Sequence, residues 1–487
     1  MKLSKIANQF KLNIPFLDAE FENISINSNE LLKESLFIAM KGGKSDGHQY
    51  IESAIQNGCK GIIAERAATI TKAIPYLIFP DVQNKMQELS AFVYPGYKNI
   101  SNIIGVTGTN GKTTVSTLVR YLLEKSGKEC GLMGTISCWD GKKSEEASHT
   151  TPPTSDIFRV LHQCAENKLQ YCAMEVSSHA LKQNRMGNIK VKSGIFTNLT
   201  QDHLDYHQSM DDYEKSKLKL LDLIDGNGLV VVINDNDFGK KILKVCKHKI
   251  ITVGKEKGSD YLIQNIKMEL SGSEFELIVN KKNYKVSIPL IGEHNIYNCM
   301  QACASLAEQG IALEKLIKDL KEFKGVAGRL EKVQNNGING PSVFVDYAHT
   351  PDAMDNVLKS VVPLKGNGKL WVVFGCGGDR DRTKRPLMAK SAEKYGDKVI
   401  VTSDNPRTEN PDAIIEEIKK GFIGKDFLSI VDRRLAINHA IEKAAIEDMI
   451  LLLGKGHEDY QIIGKVKHHF DDKEEAQKAL DKRVGQK

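Results

Sequence analysis

Long apolar runs are missing from this 487-residue chain. None approaches the roughly 18 residues that a bilayer-spanning helix needs, and the longest candidates, Leu229–Ile233 and Met449–Leu453, have the length of strands. Helical membrane insertion is therefore not expected. A dominant charge is missing too: 68 Lys+Arg against 62 Asp+Glu leave a net charge of +6, too little for the basic footprint of a dedicated nucleic-acid binder. The nine cysteines are odd in number and scattered, with no Cys-x-x-Cys pair. That argues against a disulfide framework or a cysteine zinc site, and the thiols are expected to be reduced packing residues. The first ten residues, Met1 to Phe10, lack the apolar stretch and small-residue cleavage site of a signal peptide and read instead as an amphipathic helix. A cytoplasmic chain is expected. No internal repeat or low-complexity tract interrupts it.

What is present is an ordinary globular composition, 41% hydrophobic and 27% charged, able to bury cores without staples. At roughly 150 residues per domain the length suggests about three domains. Short β-like runs alternate with amphipathic helical patterns: Asn102–Thr107 before a helix from about Lys112, then Tyr171–Val176, Gly194–Thr197, Leu229–Asn234, Leu370–Phe374, Lys398–Thr402 and Met449–Leu453. The alternation predicts α/β domains with parallel sheets. Turn-rich Tyr94-Pro95-Gly96-Tyr97 sets one boundary. Ala327-Gly328-Arg329, followed by Asn335-Asn336-Gly337 and Gly340-Pro341, sets another. The expected domains are 1–98, 99–328 and 329–487.

Between the first such strand and its helix lies Gly105-Val106-Thr107-Gly108-Thr109-Asn110-Gly111-Lys112-Thr113-Thr114. Glycines let the backbone turn its amides toward phosphate oxygens, and the helix N-terminus adds positive potential. Lys112 would meet the β- and γ-phosphates, and Thr113 would offer its hydroxyl to Mg²⁺. The strict G-x-x-x-x-G-K-[ST] pattern fails at Val106, so a glycine-rich turn without a ligand is the competing reading. Tyr171 to Met174 ends in Glu175, at the strand end where a P-loop sheet carries a metal-binding acid; an exposed strand-end residue is the alternative. His203 and His207 stand four apart, but no Glu follows the first and no third ligand is evident, which disfavours zinc.

The block from Gly108 to Thr114 resembles the nucleotide loop of the ATP-dependent Mur ligases of peptidoglycan synthesis, and further matches cover most of the chain. Those enzymes and the related folylpolyglutamate synthetases activate a carboxylate as an acyl phosphate and couple it to an amine. The resemblance implies a central P-loop ATPase domain with a parallel sheet, flanked by an N-terminal α/β domain and a C-terminal Rossmann-like α/β domain. It also implies ATP as substrate, Mg²⁺ as cofactor and a monomer acting on small molecules, with neither nucleic acid nor membrane insertion. Gly108, Thr109, Asn110, Gly111, Lys112, Thr113 and Thr114 would hold ATP, with Asn295 near the adenine and Arg329, Asp346 and His349 approaching the nucleotide. Asp346 and His349 belong to Asp346-Tyr347-Ala348-His349-Thr350-Pro351, which matches the family's Asp-Tyr-Ala-His-x-Pro motif.

Glu175-Val176-Ser177-Ser178-His179 is similar to the family segment whose Glu binds Mg²⁺ and whose Ser holds the muramoyl substrate. Thr150, Thr151, Ser177, Gln183 and Arg185 then face UDP-N-acetylmuramoyl-L-alanyl-D-glutamate, and Ser28 its uridine end. There Asn27-Ser28-Asn29 departs from the usual Asp-Ser-Arg, so only the serine carries over. Lys41 to His48 is compatible with a loop near the diphosphate. His203 is assigned to a second Mg²⁺. Lys217, an ordinary surface lysine by sequence alone, takes the place of a carbamylated lysine. With Lys112, these make Glu175, His203 and Lys217 the catalytic set, and Thr113, Glu175, His203 and Lys217 the metal set.

Asp404-Asn405-Pro406-Arg407 resembles the motif of the family members that add meso-diaminopimelate; lysine-adding relatives carry another residue where Arg407 stands. The logic is chemical, because diaminopimelate has a distal carboxylate that a guanidinium can grip bidentately and lysine has none. Gly454 and Glu458 would hold its distal ammonium, and Arg380, in a glycine-rich loop, would lie beside the amino acid. The expected activity is ATP-dependent addition of meso-diaminopimelate to the D-Glu carboxylate. The alternatives are a lysine-adding ligase, a more distant folate polyglutamate ligase and, from a different class, a P-loop switch or motor.

Overall fold

The computed structural model describes residues 1–42, 45–204, 206–334, 340–424 and 426–484. Gly43, Lys44 and Asp205, and the turn expected at Asn335-Asn336-Gly337, lie outside the described residues. The chain forms two compact units. One comprises Met1–Thr107, Leu123–Gly194 and Ser216–Gly228; the other comprises Gly108–Leu122, Ile195–Lys215 and Leu229–Lys487.

In the first unit the opening helix, Leu3–Gln9, buries Leu3, Ile6 and Ala7, the i, i+3, i+4 spacing of one helix face. Four parallel strands follow in chain order, Asn23–Ser25, Ser35–Ala39, Gly61–Ala64 and Tyr76–Ile78. A second group is built around Tyr171–Glu175, which pairs in parallel with Asn102–Thr107 on one side and Cys130–Met133 on the other. Short antiparallel strands, Ser137–Trp139 and Ser144–Glu146, extend its edge. Eight of the nine cysteines are buried and all are free thiols, so no covalent staple contributes.

In the second unit Leu229–Ile233 runs parallel to Lys249–Gly254, and Tyr261–Glu269 joins in parallel. The chain then departs from the expected alternation: Tyr261–Glu269, Gly272–Val279 and Lys282–Ile288 form an antiparallel meander. Asn280 and Lys281, both at positive φ, make the two-residue turn that matches the right-handed twist of the strands they join.

A six-stranded sheet carries the rest of this unit. Ser342–Asp346 pairs with Met449–Leu453, then come Leu370–Phe374, Lys398–Val401 and Phe427–Ser429, all parallel, with Glu331–Lys332 antiparallel on the outside. Its central strands are buried on both faces. Phe344, Val372, Phe374, Leu451 and Leu453 pack with Met354, Leu358, Met388 and Ile415 of the helices on one side. Val343, Val345, Val373, Ile450 and Leu452 pack with Ala436, Ile437, Ala476 and Leu480 on the other. This is why these strands read as unbroken apolar runs. The last strand is inserted between the first two, and the strand-order reversal opens a crevice at the carboxyl ends, where open α/β sheets bind ligands. Among the described residues no helix is long and apolar enough to cross a membrane.

Candidate active site

The phosphate loop belongs to the second unit. Gly108 has φ +149 and a Cβ there would fall 1.8 Å from Thr197 Oγ1; Gly111 has φ +87 and a Cβ would fall 2.6 Å from Asn298 Oδ1. Both positions demand glycine, for backbone conformation and for space. The Thr197–Thr200 segment shapes the loop. Thr109 N donates to the Asn198 carbonyl at 2.9 Å, Asn110 N to Asn198 Oδ1 at 2.9 Å, and the Thr197 hydroxyl to the Asn110 carbonyl at 2.6 Å. Lys112 opens the helix Lys112–Lys125, and its ammonium donates to the carbonyls of Gly108 (3.0 Å) and Thr109 (2.8 Å). Thr113 and Thr114 are buried in the first helical turn.

Arg329 and Asp352 meet this loop within the same unit. The Arg329 guanidinium donates to Thr113 Oγ1 at 3.3 Å and stacks 4.8 Å above the Tyr347 ring. Asp352 accepts from Asn110 Nδ2 at 3.3 Å and from the Thr200 hydroxyl at 2.7 Å. Asp346 ends its strand and accepts the amides of Leu330 (2.6 Å) and Ala348 (2.8 Å), so it fixes the turn that carries Arg329. Burial pushes its carboxyl up, against the pull of Arg329. His349 lies within hydrogen-bonding distance of the Tyr347 carbonyl through Nδ1, at 2.7 Å. Burial, then Lys384, hold it down to about 4, so it is neutral at pH 7. Asn295 is spoken for within its helix: Nδ2 donates to the Ile291 carbonyl at 2.8 Å and Oδ1 accepts from Asn298 at 3.2 Å. It is Asn298, not singled out from sequence, whose side chain abuts Gly111. The two histidines differ: His203 is exposed at φ +54 with Nε2 3.4 Å from Asp202, whereas His207 is buried beside Asp212. Among the described residues no group of three or more His, Cys, Asp or Glu is arranged to hold a metal ion by itself.

The first unit holds the residues assigned to the muramoyl substrate, and all but Ser28 gather around the Glu175–Ser177 segment. Glu175 is buried and accepts the Thr135 amide at 2.7 Å and the Thr135 hydroxyl at 3.0 Å. The Thr135 hydroxyl lies 3.2 Å from that of Thr150. Thr151 donates to the Glu175 carbonyl at 2.8 Å and accepts the Ser177 amide at 2.8 Å. Ser177 caps the helix Ser178–Lys182 by accepting from Ala180 N. Arg185 donates to the Thr151 carbonyl at 2.8 Å and to Gln183 Oε1 at 2.9 Å. Thr135 is the member that sequence spacing did not reveal. Ser28 is buried after the first strand, its carbonyl accepting from Asn57 at 2.8 Å. Asn27 is turned to Glu30. Lys217, near the end of the helix Met210–Leu218, is only 1% exposed and so is not the surface lysine of the bland reading.

At the carboxyl end of the six-stranded sheet the remaining residues converge. Asp404 is buried, and a Cβ on Gly454 (φ +114) would fall 2.6 Å from its Oδ2. Burial pushes Asp404 up, but Lys455 and Arg433 outweigh it and leave the carboxyl below its ordinary value. Burial and then Asp404 raise Glu458. Asn405 bridges two elements, donating to Glu458 Oε2 at 2.7 Å and accepting the Ile462 amide at 2.9 Å. Pro406 is buried and its carbonyl lies against Gly378, where a Cβ would come within 1.9 Å of it. Arg407, half-buried at φ +50, donates through Nη1 to the Gly378 carbonyl at 2.9 Å. Its backbone joins the hairpin Tyr460–His469 through Ile462 and Gly464. Arg380 is exposed and donates to the Asp379 carbonyl. Beneath this loop the buried Arg385 pairs with Glu409 at 2.8 Å and Glu417 at 2.7 Å, locking the segments that carry Arg380 and Arg407 together.

Three family models match the chain in order: Mur ligase family, catalytic domain, over residues 20–101; Mur ligase middle domain over 106–306; and Mur ligase, glutamate ligase domain over 328–456. A relative from Clostridioides difficile (strain 630), named UDP-N-acetylmuramoyl-L-alanyl-D-glutamate--2,6-diaminopimelate ligase, is 41% identical over 471 residues, 96% of each chain. One of the same name from Aquifex aeolicus (strain VF5) is 40% identical over 96% of this chain and 95% of its own. A solved structure of a protein of that name has 32% identity and a TM-score of 0.63, with 95% of each chain covered. The chain belongs to the Mur ligase family.

Proposed function

We propose that this chain is the ATP-dependent ligase that adds meso-2,6-diaminopimelate to UDP-N-acetylmuramoyl-L-alanyl-D-glutamate in peptidoglycan precursor synthesis. The observation that carries the reading is the cluster at the sheet's carboxyl end, where the carboxylates of Asp404 and Glu458 and the guanidinium of Arg407 stand on loops tied together by Asn405. A second amino-acid head presents an ammonium and a carboxylate, and this set is its charge complement. The names of relatives about 40% identical along nearly the whole chain support the same substrate. The same reading divides the chain near 98 and 328, and the separate family segments over 20–101, 106–306 and 328–456 support a three-part division. A cytoplasmic monomer working on soluble nucleotide-linked substrates completes the proposal.

In this reading the amides from Gly108 to Thr114 and the Lys112 ammonium take the ATP phosphates, drawing charge from the γ-phosphoryl group. Asn295, Arg329, Asp346 and His349 would shape the nucleotide side. The Thr150–Thr151, Ser177 and Gln183–Arg185 group, with Ser28, would hold the muramoyl dipeptide and place its D-Glu carboxylate for attack on the γ-phosphate. The diaminopimelate amine then attacks the acyl phosphate, and the tetrahedral intermediate collapses to amide and phosphate. Arg380 and the Asp404–Arg407 segment would orient that amine, so catalysis is chiefly positioning and charge stabilisation. Thr113, Glu175, His203 and Lys217 (as its carbamate) would be the candidate Mg²⁺ ligands. Hydroxyl, carboxylate and carbamate oxygens suit this hard cation, and the burial of Lys217 sets it apart from a solvated surface lysine. Bound Mg²⁺ would neutralise phosphate charge.

The test is an amino-acid panel with ATP and the UDP-linked dipeptide, scored by product mass. Amide formation with diaminopimelate, and phosphate release only when both acceptor and donor are present, is expected. Product with lysine in place of diaminopimelate would overturn the substrate; ATP turnover without an amine would overturn the ligase.

A further inference from the structure

We propose that Lys455 is a positioning residue that sets the charge of the amino-acid pocket. It neutralises one of two neighbouring carboxylates, so the pocket keeps a single negative charge for a single ammonium. The inference rests on the reading that Asp404 and Glu458 receive the distal ammonium of diaminopimelate.

Lys455 is 0% exposed, one of the largest fully buried side chains in the protein. It follows Gly454, whose backbone lies against Asp404 Oδ2. Its ammonium donates to the Tyr460 carbonyl and sits 3.5 Å from Glu458 Oε2. With no surface of its own, it acts through the carboxylates: its charge opposes the effect of burial at both Asp404 and Glu458. The other buried cation nearby, Arg433, also pulls on Asp404, but its charge is matched by Asp472, which it grips through two bonds of 2.6 and 2.7 Å, with both side chains 0% exposed. His349, neutral at pH 7, adds no charge. With the Arg433–Asp472 pair matched, and with Arg407 assigned in the proposed function to the substrate's own carboxylate, two anions and one cation remain for the ammonium. Without the cation, two carboxylates sharing a desolvated site could not both stay ionised. With the cation and only one carboxylate, the pocket would be neutral and would hold an ammonium poorly.

That arithmetic predicts an unusual double-mutant result. In the full-length enzyme, with ATP and the UDP-linked dipeptide saturating, Glu458→Gln should raise KM for diaminopimelate by about 30-fold or more, in the range of losing one charged partner. Adding Lys455→Met to Glu458→Gln should then lower KM again by roughly tenfold, because Asp404 alone restores the single negative charge, with kcat and the KM for ATP alike in the two variants. A purely structural lysine predicts the reverse, a double variant worse than the single, and that result would overturn the proposal. Lys455→Gln in the same background makes the same charge change and keeps a donor for the Tyr460 carbonyl. It decides the question if the methionine variant fails to fold. An unchanged KM in Glu458→Gln would instead overturn the underlying assignment of Glu458 to the substrate.

Discussion

Replacing Arg407 by alanine should weaken the use of diaminopimelate far more than the use of ATP. The guanidinium has five N–H donors, and the Gly378 carbonyl takes one of them at 2.9 Å, which orients the fork. The backbone is held independently, with Arg407 N donating to the Ile462 carbonyl at 3.0 Å and Gly464 N donating to the Arg407 carbonyl at 2.7 Å. Alanine adopts the same φ of +50 at a similar steric cost, so the substitution removes the side chain and leaves the loop. Truncating one partner of a buried charge pair costs about 2 to 5 kcal/mol. Arg407 is half-buried and therefore partly screened, which places it at the lower end, about 2 to 3 kcal/mol. At about 1.4 kcal/mol per decade that is a loss of roughly 30- to 150-fold in kcat/KM for diaminopimelate. Arg407→Lys keeps the charge without the planar fork and should fall between. The assay is kcat/KM for diaminopimelate and lysine, side by side, in wild type and variants. Equal use of both amino acids by wild type, or an unchanged ratio in Arg407→Ala, would refute the reasoning.

Lys112→Ala should abolish ligation while leaving the fold intact, since its ammonium donates to loop carbonyls 2.8 and 3.0 Å away and the loop is held separately by its bonds to Thr197 and Asn198; ligation near the wild-type rate in a folded variant would count against the phosphate loop. Lys217→Ala should lose activity and regain part of it with added short-chain carboxylates that occupy the place of a carbamate; the check is activity against carboxylate concentration. Hydrogen bonding from Arg385 holds Glu409 down to about 2, below an unfolded glutamate near 4.3. The pairing therefore stabilises fully above that value and is lost as pH falls through about 2. Glu409→Gln should melt below wild type at pH 7, with the gap closing between about pH 4.5 and 2.

How much of this was legible in the sequence follows from where each signal resides. Leu370–Phe374 and Met449–Leu453 appear in the structure with the bounds their apolar runs suggest, because both faces of these strands are buried. Tyr261–Glu269 has a largely alternating burial pattern and carries Gln264, Lys267 and Glu269, so composition hid it, and the meander was not read from the sequence. The phosphate loop was legible because its glycines are local. Their reasons were not: Thr197 and Asn298, which forbid a Cβ at Gly108 and Gly111, lie about 90 and 190 residues further on. Asn295 was noticed through its motif, yet its neighbour one turn on touches the loop. Lys455, between Gly454 and Glu458, drew no role from the sequence, since nothing in spacing reveals that a lysine is wholly buried.

The strand order explains why the site could be read only in pieces. Because Met449–Leu453 is inserted between Ser342–Asp346 and Leu370–Phe374, the loop from Gly454 to Glu458 emerges between segments more than 70 residues away in the chain. At its near end Gly454 N donates to the Asp346 carbonyl at 3.0 Å. A Cβ on Gly456 would come within 2.5 Å of Tyr347 Cβ, and one on Gly328 within 2.1 Å of the His457 amide. These are the residues that carry and flank Arg329, and through it Thr113 of the phosphate loop. At its far end the same loop supplies Glu458 to Asn405 and Lys455 to the carboxylate pair. One five-residue loop therefore contacts both the turn that carries Arg329 and the Asp404–Asn405 segment. Packing this close leaves little room for one side to shift without the other. In chain-order pairing the Met449–Leu453 strand would stand beside Phe427–Ser429 at the sheet edge, and its loop would lie away from Tyr347 and Arg329. The inserted strand thus brings the loop that carries Glu458 against the turn that carries Arg329, which in the proposed function makes the amino-acid pocket and the phosphate loop parts of one site.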